Sequence, residues 1–138
     1  MKQGSVILIA EDDAGHFVLV KKNLWRSCAD NEIIHFTDGQ ELLDFLFLKS
    51  RNGEQEHIER FILLLDIRMP KVDGIEVLRQ IKKDPQLKKI PVIMLTTTDD
   101  PEEIEKCYQA GCSLYIVKPS NYNDFMNSDC RGFFLFCR

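Results

Sequence analysis

The chain has 138 residues, 44% hydrophobic and 29% charged, a size and composition suited to one domain with one core that buries about two thirds of its unfolded surface. Its formal charge of −4 would repel a phosphate backbone, and with no nucleic-acid module in view direct nucleic-acid binding is not expected. Apolar runs such as Val6–Ala10 and Phe61–Leu65 are only about five residues long against the roughly 20 that span a bilayer; with no signal-peptide pattern at the start, no membrane contact and a cytoplasmic location are expected.

In chain order, Val6–Ala10 reads as a buried strand running into Glu11-Asp12-Asp13, and Phe17, Val20 and Leu24 give the next segment helical spacing from about Ala14. Ile33–Phe36 is a second strand, followed by a helix carrying Leu42, Leu43, Phe45 and Leu46. The polar stretch Lys49 to Arg60 reads as a solvated loop or helix extension, with a partner-docking insertion as the alternative. Phe61–Leu65 leads into Asp66, a Met69-Pro70 and Asp73-Gly74 turn, and a helix with Val77, Leu78 and Ile81 on one face. Val92–Leu95 is the fourth strand. Pro101 after Asp99-Asp100 opens a helix bearing Ile104, Cys107 and Tyr108, Gly111 ends it, and Leu114–Val117 is the fifth strand. Beyond Pro119, Phe125 and Met126 start a helix that meets Gly132 and the apolar run Phe133–Cys137; this tail reads as packing on the domain body, with a dimer or partner contact as the alternative.

Strand and helix thus alternate five times, which predicts an α/β fold: a flavodoxin-like (βα)5 doubly wound parallel sheet of strand order 2-1-3-4-5. The five cysteines, odd in number and without a C-x-x-C pair, argue against a disulfide framework or a zinc site and read as buried thiols.

In that strand order, strands 1 and 3 are neighbours, and ligands bind beyond the carboxyl ends of the strands where the winding reverses. Glu11 and Asp12 from strand 1 and Asp66 from strand 3 should therefore converge on one crevice. Convergent carboxylates repel unless a cation neutralises them, and oxygen-only ligands select a hard ion, Mg²⁺ or in its place Mn²⁺. Asp13 is read instead as the cap of the first helix. Capping does not explain why Asp66 stands at the matching end of the adjacent strand.

Four segments carry a resemblance: Glu11-Asp12, Asp66–Gly74 (DIRMPKVDG), Pro91–Thr96 (PVIMLT) and Tyr115–Pro119 (YIVKP). Each alone is ordinary, with Thr96 a strand residue and Lys118 a surface lysine. In this order, at strand ends, they resemble the response-regulator receiver domain of two-component signalling over residues 5–124, and the whole of 1–138 is read as one receiver with an atypical tail at 125–138. The resemblance implies that Asp66 is the phosphoacceptor. It also implies that Glu11, Asp12, Asp66 and the backbone carbonyl of Arg68 hold the metal, that Thr96 and Lys118 contact the phosphoryl oxygens, and that the Lys118–Pro119 peptide is cis. Thr96 and Tyr115 become a switch pair, read out on the face of the helix at 102–110, the strand at 114–117 and the segment after Asn121. That face is also the one through which two copies would form a homodimer.

The implied partners are a sensor histidine kinase and a downstream protein target or histidine phosphotransfer protein. The run Thr96–Pro101 with Cys107–Cys112 is similar to stand-alone receivers that sit beside bacterial phytochrome-type kinases. Arg68 and Thr98 occupy positions that in this family influence phosphoryl lifetime. No enzyme activity is expected beyond self-catalysed phosphorylation and dephosphorylation. A metal-dependent phosphohydrolase would need a second acid two residues after Asp66, where Arg68 stands. A dinucleotide-binding domain would need G-x-G-x-x-G after strand 1. The remaining alternative is a receiver-like module that is never phosphorylated.

Overall fold

The computed structural model describes residues 4–28, 31–96 and 100–117, with only the backbone described for residues 23–28. The expected tail, Lys118, the Lys118–Pro119 peptide, Thr98 and the side chain of Leu24 lie outside the described residues. Five strands, β1 (Val6–Ala10), β2 (Glu32–Phe36), β3 (Phe61–Asp66), β4 (Val92–Thr96) and β5 (Leu114–Val117), form one sheet of order β2-β1-β3-β4-β5. Every pairing is parallel, as the sequence predicts. The central strands read as unbroken apolar runs because both of their faces are covered. Leu8, Ala10, Leu63, Leu65 and Met94 feed one core, while Ile7, Ile9, Ile62, Leu64 and Ile93 feed the other.

Helix α1 (Ala14–Cys28) closes the second core through Phe17 and Val20. On the opposite face, α2 (Gly39–Arg51) supplies Leu42, Leu43 and Leu46, α4 (Gly74–Lys83) supplies Val77, Leu78 and Ile81, and α5 (Pro101–Ala110) supplies Cys107. Helix starts follow the acidic caps: Asp13, Asp38, Asp73 and Asp100 accept the backbone N–H of His16, Glu41, Glu76 and Glu102 at 2.8–3.0 Å. Gly111 ends α5 in the left-handed region at φ 106°, where a β-carbon would be strained.

Two details differ from the sequence reading. The polar stretch after Lys49 contains a single helical turn, α3 (Gln55–Ile58), and Ile58 is buried in the core, so the segment is anchored from within rather than wholly solvated. Tyr108, expected on the apolar face of its helix, is exposed; Cys107 takes the inward position, and residues adjacent in a helix point about 100° apart. Cys107 and Cys112 are buried free thiols, and burial pushes Cys107 up to about 11, leaving it protonated and unreactive at neutral pH.

Asp84, just past α4, ties that helix end to α2. Its carboxylate accepts the N–H groups of Gln86 at 2.8 Å and Leu87 at 3.0 Å, and the Ser50 hydroxyl at 3.0 Å. Burial opposes its ionisation, but these hydrogen bonds outweigh burial and hold its pKa below the usual carboxylate value. A carboxyl depressed in the folded state contributes stability that is present above its unfolded pKa and lost as pH falls through its folded pKa. Asp84→Ala is therefore expected to cost about 1 kcal/mol in urea unfolding at pH 7. The gap to wild type should close as pH drops below about 4.

Candidate functional site

The β1–β3 register pairs Ile9 with Leu64 and Ala10 with Leu65, so the next residues along, Glu11 and Asp66, lie side by side at the carboxyl ends of the two central strands. Side chains alternate along a strand, which puts both on the α1 side of the sheet with Ile9 and Leu64. Glu11, Asp12 and Asp66 each offer a carboxylate oxygen within 4.8 Å of the others. Glu11 is 2% exposed and Asp66 7%, while Asp12 sits exposed at the rim. Three carboxylates in so small a space, two of them buried, repel strongly; a divalent cation removes that cost. The donor set is all oxygen, with Asp12 on a solvent-facing side, which fits Mg²⁺ or Mn²⁺.

Glu11 is fixed at three points. Its N–H donates to the Phe36 carbonyl at 3.0 Å, and its own carbonyl accepts from His35 Nε2 at 2.8 Å. Its Oε1 lies 3.0 Å from His16 Nδ1. The His35 ring in turn stacks on Phe17, centroids 3.7 Å apart and 4° from parallel. The sequence reading did not single out either histidine. The available signal for His16 was its place in the first turn of α1, where a side chain reaches back toward the strand end.

The loop between Asp66 and α4 is equally constrained. Gly74 N–H donates to Ile67 O at 2.7 Å, and a β-carbon on Gly74 would collide with the Asp66 carbonyl. Lys71 has φ 70° and Val72 N–H bonds Pro70 O at 2.8 Å, the signature of a γ-turn. The Lys71 ammonium reaches Asp38 at 3.4 Å and docks the turn on the cap of α2. The Glu41 N–H, with help from Lys71, holds the Asp38 carboxyl below its ordinary pKa. A cleft opens beyond the loop, lined by Asp12, Arg68, Met69, Asp73 and Glu103 among others. The Arg68 side chain is exposed and stands 4.0 Å from Glu103 on α5.

Asp66 pairs with Leu95, so Thr96, at the end of β4, is the next residue along, and it is fully buried. Tyr115 pairs with Met94 and packs half-buried against the core on the α2, α4 and α5 side. Thr96 and Tyr115 share that face by alternation. The structure thus brings Glu11, Asp12 and Asp66 together, places Thr96 one residue past the Leu95 that pairs with Asp66, and puts Tyr115 one strand further out. Lys118 is outside the described residues.

A doubly wound parallel sheet with an acidic crevice at its winding reversal defines a signalling domain of receiver type. Residues 7–128 match the response regulator receiver domain family, and the chain belongs to that family. It is 38% identical over 120 residues to the response regulator Rcp1 of Synechocystis, covering 86% of this chain and 80% of that protein. The Mn²⁺-bound structure of Rcp1 superimposes with a TM-score of 0.75 at 33% identity, covering 88% of this chain and 86% of that one. A receiver domain from Rhodospirillum rubrum gives a TM-score of 0.83 at 42% identity over 95% of this chain and 92% of that one. The phosphorylated cyanobacterial phytochrome response regulator RcpA gives 0.72 at 31% identity, over 88% and 86%. The function is that of a two-component response regulator.

Gly74→Ala should cost about 1–3 kcal/mol in urea unfolding, because the contact to be relieved is backbone on both sides. A loss within about 0.5 kcal/mol, the range of ordinary surface substitutions, would show that the start of α4 can move away from β3 freely.

Proposed function

We propose that Asp66 is the phosphoacceptor of this receiver, using a divalent ion held by Glu11, Asp12, Asp66 and the backbone carbonyl of Arg68. The observation that carries the reading is the convergence of three carboxylate oxygens within 4.8 Å at the ends of β1 and β3. A carboxylate oxygen of Asp66 attacks phosphorus in line, forming an acyl phosphate, while the bond from phosphorus to the donor's imidazole nitrogen breaks and its electron pair stays on that nitrogen. When bound, Mg²⁺ or Mn²⁺ offsets charge on the equatorial oxygens. The Thr96 hydroxyl and the Lys118 ammonium are assigned to the same oxygens. Arg68, two residues beyond the acceptor, cannot act as the acid of a hydrolase. The protein is accordingly read as a switch, with only its own phosphorylation and dephosphorylation as chemistry.

Thr96 and Tyr115 are read as the coupling pair: a hydroxyl drawn toward the phosphoryl group vacates space that the Tyr115 ring turns in to fill. Their common sheet face and the half-burial of Tyr115 support this. Phosphorylation then shifts a population between two arrangements by no more than its preference for one of them. The output surface is α5, β5 and the segment after Asn121, through which a second copy, a protein target or a histidine phosphotransfer protein would bind. The donor is a sensor histidine kinase, and likeness to Rcp1 and RcpA favours one of phytochrome type. The location is read as cytoplasmic, where such a kinase presents its phosphohistidine; no helix among the described residues is long and apolar enough to cross a membrane. The domain is read as one receiver over 1–138.

Incubation with acetyl phosphate and Mg²⁺, followed by mass measurement under cold, mildly acidic conditions, is expected to show a labile addition of about 80 Da in wild type and none in Asp66→Ala. An unmodified wild type, with a purified cognate kinase also failing, would leave a receiver-like module that binds partners without phosphate. Thr96→Ala is expected to accept the phosphoryl group more slowly and to lose the change in Tyr115 environment read by nuclear magnetic resonance. An undiminished change would remove Thr96 from the coupling.

A further inference from the structure

The crevice has an outer support that the phosphoacceptor reading does not require. Glu11 carries one more rotatable side-chain bond than Asp12 or Asp66, so its carboxylate needs more restraint from its surroundings to present an oxygen to an ion. His16 Nδ1 stands 3.0 Å from its Oε1. A carboxylate only accepts, so Nδ1 carries the hydrogen and donates it, from a side chain that is 40% exposed. The backbone N–H of His16 donates to Asp13 Oδ1 at 3.0 Å, which fixes the start of the helix that carries the imidazole. From the opposite side His35 holds the Glu11 carbonyl at 2.8 Å, so the main chain cannot swing to release the side chain.

We propose that His16 is a positioning residue for metal binding: through Nδ1–H it holds the Glu11 carboxylate in the orientation that coordinates the divalent ion, and so sets the affinity of the site. The inference rests on the reading of Glu11, Asp12 and Asp66 as the ion's ligands. Hydrogen bonds from an outer partner restrict a ligating carboxylate before the ion arrives, and removing such partners typically weakens metal affinity about 10- to 100-fold. His16 is outside both buried core clusters, so the loss should fall on the ion and not on the fold.

The test is Mn²⁺ binding to the full chain by electron paramagnetic resonance, with Mg²⁺ competition, on wild type, Asp12→Ala, His16→Ala and His16→Asn, alongside melting temperatures without metal. The Asn amide carries an N–H at nearly the position of Nδ1. His16→Ala is expected to weaken Mn²⁺ binding by about 10-fold or more while its metal-free melting temperature stays at the wild-type value, and His16→Asn should recover most of the affinity. His16→Ala binding like wild type, while Asp12→Ala loses the ion, would overturn the role of His16 and leave the ligand assignment standing. Equal loss in His16→Ala and His16→Asn would also overturn it, since a donor at that position would then not matter. Wild type that binds no Mn²⁺ would overturn the ligand assignment and this inference together.

Discussion

The pairing of β1 with β3 is the constraint on which the rest of the structure depends. A shift of one residue would turn every side chain of β1 to the other face, exchanging the two cores and carrying Glu11 away from Asp66. The register is secured far from the site, by Ile7, Ile9, Ile62 and Leu64 on one side and Leu8, Ala10, Leu63 and Leu65 on the other. Two dry cores therefore hold two like charges together at the strand ends. The repulsion is the functional element, because a site that is costly when empty favours a cation and, with it, a phosphoryl group.

On the proposed reading, the same sheet separates chemistry from readout. Glu11 and Asp66 belong to the α1 side, whereas Thr96 and Tyr115 belong to the side of α2, α4 and α5. Thr96 is one residue past the Leu95 that pairs with Asp66, so it is the described side chain best placed to sense the acceptor from across the sheet. Tyr115 is half-buried against the core, the position that the proposed switch requires. An aromatic with two arrangements at the edge of a close-packed core would turn a small displacement into a discrete change, since such a core does not deform continuously.

Much of this was legible in the sequence, for identifiable reasons. The unbroken apolar runs at Val6–Ala10 and Phe61–Leu65 could be buried only in a parallel sheet covered on both faces, and the topological rule for such sheets then brought Glu11, Asp12 and Asp66 together. Caps at Asp13 and Asp100 were legible because their chemistry is local. Ile58 was hidden because one apolar residue in a polar stretch has no period to betray it, and its burial depends on where α3 folds back. His16 and His35 were hidden for a different reason. Their importance lies in contact with Glu11 across five and twenty-four positions, and a histidine in a helix or strand carries no mark of what it faces.

The reading of this crevice as a switch turns on the position two residues beyond the proposed acceptor. Efficient hydrolysis needs a group to activate water or protonate a leaving group within hydrogen-bond reach of phosphorus. Of the acids at the described crevice, Glu11 lies against His16 and Asp13 caps α1, while Asp12, Asp73 and Glu103 line the cleft. Two residues beyond Asp66, where a hydrolase would place its acid, the chain presents Arg68, whose guanidinium points across the cleft to Glu103. On the phosphoacceptor reading, the bond formed at Asp66 is a mixed anhydride, and its lifetime is the interval in which a partner can read the Tyr115 face. On that reading, the oxygen donors at the ends of β1 and β3 and the Arg68 that stands in place of a hydrolase's acid belong to one arrangement.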